Sequence, residues 1–486
     1  MRHRGNFPRF PQSSRTRLAR LFDITETEPA IAAGSLGEGG FAAPIEVNES
    51  RFMTTVASPA LNPAVRHQYE WLPYPARNPQ EERSRLLTTA VDELATINHY
   101  AWEGRRDLTK GLRVLIAGGG TGDSAVYLAH QLRNTPSELV YVDLSEASMR
   151  VARERALVRG LGKSFQWIHG SLLDLTPDRV GTFDYINCSG VLHHLPDPDL
   201  GLRTLAALLK PEGVMGLMVY GQYGRTGIYQ MQEMLRRSIP ANLPRETQLS
   251  LARQLISNLP PTNWFTRGHD LFESIEQMTP AEFYDIFLHA QDRAYTVPQL
   301  FAWLEQARLR FIEHTFEARM LYQPMHVFAG QPEMLAHVET LPLSEQQAIS
   351  ELFWGAASRH IFWASPLGRR QATPEDGQQI PCYSHLGEIL QLKKVIQSAT
   401  TPACDFQMSR PGTPCLKVTV SCDPLTRRLI DLIDGIKTVE MIRNQLMQEF
   451  QQSAAMMDRV IQHVCQLLAG YDLVVLRHAS TSVWKF

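Results

Sequence analysis

Residues 112–123 read Leu-Arg-Val-Leu-Ile-Ala-Gly-Gly-Gly-Thr-Gly-Asp. An apolar run, Val114 to Ala117, breaks into Gly118, Gly119, Gly120 and Gly122, and a helix-compatible segment follows from Asp123 to Leu132. The pattern predicts strand, tight turn, helix. Glycine lets the backbone turn sharply and approach a ligand closely. The new helix offers unpaired N–H groups in its first turn.

Beyond this turn the chain alternates with short connections. Leu139–Val142 reads as a strand ending in Asp143, and a helix runs from Glu146 to Val158 with Ser145 as its N-cap. Phe165–Ile168, Phe183–Cys188 and Val214–Tyr220 read as further strands, and Leu200–Leu209 as a helix. Such alternation predicts an α/β fold, a parallel sheet with helices on both faces. Ligands on these sheets bind at the carboxyl ends of the strands.

A dinucleotide fingerprint needs glycine at the first, third and sixth positions. Counted from Gly118, the sixth is Asp123, whose charge would face a pyrophosphate; this argues against an NAD enzyme. The GxGxG spacing of Gly118, Gly120 and Gly122 resembles motif I of the class I S-adenosylmethionine-dependent methyltransferases. Asp143, 21 residues after Gly122 at a strand end, suits a ribose diol. Cys188-Ser-Gly-Val-Leu-His-His-Leu-Pro-Asp-Pro198 looks like that family's segment after strand four, and Leu208-Leu-Lys-Pro-Glu-Gly213 like its turn before strand five. The resemblance is close over residues 110–220 and looser over 66–330. It implies a Rossmann-like seven-stranded methyltransferase sheet with S-adenosyl-L-methionine as cofactor. The contacts it implies are Ala117, Gly118, Gly119, Gly120, Gly122, Asp123, Asp143, Leu144, Ser171, Leu172, Asp174, Ser189 and Gly190. The family commonly carries an acid where this chain has Ile116, so Asp123 is expected to share that electrostatic role. Ser171 stands where the family often has the adenine-contacting acid; Asp174 either substitutes for it or forms a turn.

Methyl transfer from a sulfonium depends mainly on orientation and desolvation. Catalytic groups are therefore harder to read than cofactor contacts. His193 and His194 are the candidate bases, the alternative being that they hold their loop by hydrogen bonds. Tyr74, Tyr220, Tyr223 and His289 are the substrate-side candidates. In the segment Phe287–Pro298, His289, Asp292, Arg293 and Tyr295 either reach a substrate or belong to an ordinary turn.

The 486 residues allow two or three domains, and a net charge of -2 argues against a general nucleic-acid binder. No apolar run approaches the roughly 18 residues of a membrane span. Six cysteines are too few for a disulfide framework. Cys382, Cys404, Cys415 and Cys422 lack CxxC spacing, so no metal is expected. The chain reads as cytoplasmic. Residues 1–60, with six arginines and no acid before Leu21, read as a disordered arm. The segment from Arg66 to Pro75 carries Tyr69, Trp71 and Tyr74 among prolines, as either a rigid lid or a strap on the core; a helix is expected over 80–100. The methyltransferase domain is expected over 61–366, with a helical insertion at 225–300 and edge strands at 311–316 and 359–364. A linker at 367–384 would lead to a winged-helix-like module at 385–486, recruiting, regulatory or dimerising. This layout resembles that of some bacterial protein lysine methyltransferases. Two functions follow: a methyltransferase acting on a small molecule or a protein side chain, or a catalytically silent methyltransferase-like interaction protein. The sequence leaves a homodimer open.

Overall fold

Strand β2, Arg113–Ala117, is the apolar run before the glycines, and every position after its first is buried. In the structure, a computed structural model, residues 53–54, 62–268, 275–384, 386–408 and 416–484 are described. The chain divides into two units, Met1–Glu49 and Ser50–Phe486. The first lies outside the described residues, as does most of the expected 1–60 arm. The exception is β1 (Met53–Thr54), a short strand at the sheet edge.

Among the described residues β2 stands inside a nine-stranded sheet. Its parallel neighbours are β3 (Glu138–Asp143) and β5 (Phe183–Ser189). Beyond β3 lies β4 (Phe165–His169), then β1. Beyond β5 lies β6 (Leu209–Gly221), whose end also pairs with β7 (Ala294–Tyr295). The antiparallel strands β8 (Arg310–His314) and β9 (Arg359–Ser365) complete the sheet in the order β6-β9-β8. These two are the expected edge strands. The chain thus runs outward from β2 through β3 and β4, then returns to place β5 on β2's other side. That reversal opens a crevice at the strands' carboxyl ends.

Side chains alternate between the two faces of the strand. Leu115 and Ala117 join one buried cluster, and Val114 and Ile116 the other. Each fully buried Leu, Ile or Val contributes roughly 1.5–3 kcal/mol, so both faces hold the sheet.

Helix α1 spans Pro63–Trp71, α2 Leu94–Ala101, α3 Asp123–Leu132 and α4 Glu146–Val158. Ser145 caps α4 as expected, its Oγ accepting the Ser148 N–H at 3.0 Å. The helix expected over 80–100 is instead two single 3-10 turns and then α2. Tertiary partners interrupt it: the Val91 carbonyl accepts both the Tyr185 hydroxyl and the Trp363 indole N–H, each at 2.7 Å. The insertion holds helices at Ile228–Ser238, Arg245–Ser257 and Pro280–Phe287 around their own apolar cluster. Residues 269–274 of the expected insertion lie outside the described residues.

Part of the stretch read as a linker is structured. Strand Gln379–Tyr383 pairs antiparallel with Val474–His478, while Ala403–Met408 pairs with Leu416–Ser421. Within the expected winged-helix-like module, Leu416–Ser421 and Val474–His478 therefore belong to two different sheets. Three helices, Pro424–Leu432, Val439–Phe450 and Ala454–Gly470, pack over them. No helix of the described residues is long and apolar enough to cross a membrane.

Candidate functional site

The crevice opens into a cavity of about 710 Å³ whose walls include the turn glycines Gly118, Gly119 and Gly120. Gly120 has φ +54, and a Cβ there would lie 2.7 Å from the Tyr74 carbonyl oxygen. The turn is therefore closed over by the chain around Tyr74 and has no room for a side chain. Gly122, at φ +96, would place a Cβ 2.8 Å from that of Ala152. Its absence lets α3 lie against α4, so Gly122 serves packing and does not line the cavity.

Asp143 ends β3 and is 9% exposed. Its Oδ2 accepts the Gly120 N–H at 2.7 Å, and its Oδ1 the Ser145 N–H at 2.8 Å. Burial pushes this carboxyl up, and the two N–H groups oppose that shift. Each oxygen keeps a lone pair for a further donor.

The segment before the core covers the turn. Thr121 donates its N–H to the Tyr74 carbonyl at 3.2 Å and its hydroxyl to that of Pro75 at 2.6 Å. Ser145 Oγ donates to the Tyr69 carbonyl at 3.0 Å, and the Glu70 carboxylate accepts the Glu146 and Ala147 N–H groups. A carboxylate at a helix N-terminus offsets its partial positive charge. Of the segment's aromatics, Tyr69 and Tyr74 line the cavity, while Trp71 packs edge-on against Tyr284.

Asp123 also lines the cavity, but its charge is committed. Arg77 grips it through Nε at 2.9 Å and a terminal nitrogen at 2.7 Å, and Arg155 reaches it at 2.5 Å. Burial would raise its carboxyl; the two guanidinium groups overcome that and hold it low. An acid stands close to Ile116 from another source. Asn187, the β5 residue in register with Ile116, donates to the buried carboxylate of Asp92 at 2.8 Å. Asp92 also accepts the Thr89 and Tyr185 hydroxyls at 2.6 and 2.9 Å. Asn187 and Thr89 line the cavity.

The two histidines after β5 differ. His193 is fully buried, does not line the cavity, and neither ring nitrogen has a hydrogen-bond partner. Its ring packs on Tyr220, centroids 4.0 Å apart. Burial, then the neighbouring charges, hold it neutral. Of the two expected bases it is thus the one held in the core, away from the cavity wall. His194 lines the cavity, and its Nδ1 lies 2.9 Å from the Gln291 carbonyl. A carbonyl only accepts, so Nδ1 carries the proton and Nε2 the lone pair.

The same residue sets His289. The Gln291 N–H donates to His289 Nδ1 at 3.0 Å, so a neutral His289 carries its proton on Nε2, which faces the Tyr69 hydroxyl at 3.2 Å. Tyr69 in turn donates to Asp285 Oδ1 at 2.9 Å, and Tyr220 to Oδ2 at 3.1 Å. His194, Asp285 and His289 present atoms within 4.8 Å of one another, a metal-like grouping. A metal on His289 Nε2 would drive its proton to Nδ1, against the Gln291 N–H. The hydrogen-bond directions therefore describe a polar network and do not fit a cation site.

Leu144, Ser171, Leu172, Ser189 and Gly190 line the cavity with Tyr74 and Tyr220; Ala117, Asp174, Tyr223 and His289 do not. Ala117 is inside the sheet, and Tyr223 lies in the turn after β6. Of the Phe287–Pro298 candidates, Asp292 is buried beside Arg225. Arg293 faces Asp199 at 3.8 Å, and Tyr295 stacks on Trp303 in the core. Sequence reasoning missed Arg225, Asp92 and Asp285. The available signal for Asp285 was an acid among the buried Phe283, Tyr284 and Phe287 of one helix.

Residues 115–215 match the family model described as a methyltransferase domain. An uncharacterized protein of Synechococcus sp. is 34% identical over 246 residues, 49% of this chain and 57% of that protein. The tRNA 5-carboxymethoxyuridine methyltransferase of Escherichia coli K12 is 34% identical over 113 residues, 23% of this chain and 42% of that enzyme. The chain thus spans less than two thirds of either relative. PKMT2 from Rickettsia typhi, solved in complex with AdoHcy, shares the fold with a TM-score of 0.57 at 14% identity, over 81% of this chain and 77% of that one. Residues 115–215, which build the glycine turn and the crevice, thus form a methyltransferase domain, set in a sheet that shares its fold with PKMT2.

Proposed function

We propose that this chain transfers a methyl group to a protic nucleophile, a hydroxyl or amine of a small molecule or protein side chain, with His194 as the base. The observation that carries this is one cavity with Asp143 and the glycine turn on one wall and the unprotonated Nε2 of His194 as a free acceptor on another. The walls suit the cofactor. Asp143 retains lone pairs for the two ribose hydroxyls, Leu144 and Leu172 offer apolar surface to the adenine, and the glycine turn lets the backbone approach. Asn187, backed by Asp92, and the Arg77–Asp123 pair supply polar groups for the amino acid end.

S-adenosylmethionine, when bound, supplies an electrophilic methyl group. The chain's own part is to orient the acceptor and take its proton. Burial, ahead of the opposing influence of Asp285 and the Gln291 carbonyl, lowers the affinity of His194 for a proton. Its imidazole is therefore neutral at pH 7 and ready to accept one. Tyr69, Tyr220 and Asp285 fix the wall beside it.

Calorimetry with S-adenosylhomocysteine tests the cofactor site; micromolar affinity is expected, with none for NAD. Incubation with radiolabelled S-adenosylmethionine and a cell lysate, then separation of protein from metabolites, tests turnover and acceptor class. Cofactor binding with no labelled product would leave a silent methyltransferase-like protein in place of this enzyme.

A further inference from the structure

Resting on the methyltransferase reading, we propose that the acceptor carries a carboxylate and that Arg225 binds it. Arg225 lines the cavity yet is only 4% exposed. Its guanidinium carbon lies 3.6 Å from the centroid of Tyr220, and Tyr220 stands edge-on to His194 at 5.6 Å. The cation is therefore on the acceptor side, one aromatic ring from the base.

Its partners are incomplete. Asp292 approaches at 3.5 Å, beyond the roughly 2.7–2.9 Å of a charge-assisted hydrogen bond. The same Asp292 oxygen accepts Gln232 Nε2 at 3.0 Å. The Nε–H of Arg225 is buried with no partner among the described residues. The other charges at the cavity are answered. Asp123 has two arginines and Asp143 two N–H groups, and Glu282 accepts the N–H and hydroxyl of Thr279. Arg77 is held by Asp123, and Arg359 is exposed to water. Arg225, beside the Tyr229 ring at 5.4 Å, is the buried charge whose one carboxylate is distant and whose Nε–H is unpaired.

A guanidinium presents planar donors that match a carboxylate in two parallel hydrogen bonds. A single arginine already facing Asp292 suits a monoanion better than a dianionic phosphate. A carboxylate there would satisfy the buried donors and hold the acceptor beside His194. An uncharged analogue would leave them unpaired, and a site built this way rejects such a ligand strongly.

The test uses the full chain saturated with S-adenosylhomocysteine and titrated with benzoate against benzamide, and with 4-hydroxybenzoate against 4-hydroxybenzamide. Each carboxylate is expected to bind at least tenfold more tightly than its amide. Arg225→Gln should abolish that preference while S-adenosylhomocysteine affinity stays within about twofold. Asp292→Asn, which removes the competing carboxylate, should tighten benzoate binding at least threefold and reports even if the Arg225 variant does not fold. Equal binding of acid and amide, a preference that survives Arg225→Gln, or no gain in Asp292→Asn overturns the proposal. So does a tenfold loss of S-adenosylhomocysteine affinity in Arg225→Gln, which would assign Arg225 to the cofactor's own carboxylate. Failure of the unaltered chain to bind S-adenosylhomocysteine would instead sink the methyltransferase reading.

Discussion

Gln291 sets the chemistry of two histidines with its backbone alone. Its carbonyl leaves His194 with a free Nε2, and its N–H makes His289 a donor. His194→Asn should lower the rate of methyl transfer by roughly 10²–10⁴, the usual worth of a positioned base, with S-adenosylhomocysteine affinity unchanged. Because burial lowers the proton affinity of His194, kcat/KM in the unaltered protein should rise with pH through a midpoint below 6.5 and be flat at neutrality. A midpoint at or above 7 would show that another group titrates. On the opposite wall, Asp143→Ala removes the buried acceptor of the Gly120 N–H and, on the proposed function, of the cofactor's ribose. Cofactor binding should weaken more than tenfold; unchanged affinity by calorimetry would mean the ribose lies elsewhere.

At the scale of elements, the segment over the glycine turn is tied down by charge. Glu82 pairs with Arg155 and Arg159, each at 2.6 Å, Arg155 continues to Asp123, and Asp123 to Arg77. Arg155 is 1% exposed, so its charge depends on these partners. Glu82→Ala leaves it with Asp123 as its one carboxylate, beside the Thr121 carbonyl at 2.9 Å, and should cost about 3 kcal/mol, as breaking a buried ion pair does. Urea denaturation would measure this; a loss under 1 kcal/mol would show that Arg155 is satisfied without Glu82. The lost anchor should also loosen the cover and raise the KM for S-adenosylmethionine. The same crossing contacts explain why 80–100 is not one helix. Its apolar spacing is helical, and Val91, Leu94 and Ile97 are buried. Yet Tyr185 and Trp363, distant in sequence, take the Val91 carbonyl that a helix would need.

Across the whole molecule, the carboxy-terminal unit is bonded into the methyltransferase core. Arg319 and Tyr100 meet Asp472 at 2.9 and 2.8 Å, and the Leu476 N–H donates to His99 Nδ1. Burial holds His99 and His314 neutral down to about 3, and His360 down to about 4. The unfolded chain binds protons at these sites from about pH 6.5 downward, so stability falls as pH falls below that value. Glu351 opposes this, because burial raises its carboxyl to about 7 and penalises the ionised form in the native state. These four groups together give a net loss on the order of 2 kcal/mol between pH 6.5 and 5.5, and His193, also buried neutral, adds a loss of the same sign. Denaturant midpoints across that range should fall accordingly; a midpoint that rises would show that the buried imidazoles are charged in the native protein.

The sequence by itself determined the sheet, the cofactor class and one wall of the site. Those features rest on local patterns: strand periodicity, glycines at the turn, an acid at the next strand end. Tertiary structure decided the rest. It separated His193 from His194, which are adjacent in the chain but face the core and the cavity respectively. It committed Asp123 to two arginines and set Asp92 near Ile116. It also brought Arg225, from the turn leading into the insertion, to the cavity that the glycine turn begins, and set Asp285 behind that wall on the hydroxyls of Tyr69 and Tyr220. Periodicity records which residues face a core. It does not record which distant donor takes a given carbonyl, or which buried charge lacks a partner, because those depend on segments that meet only when the chain has folded.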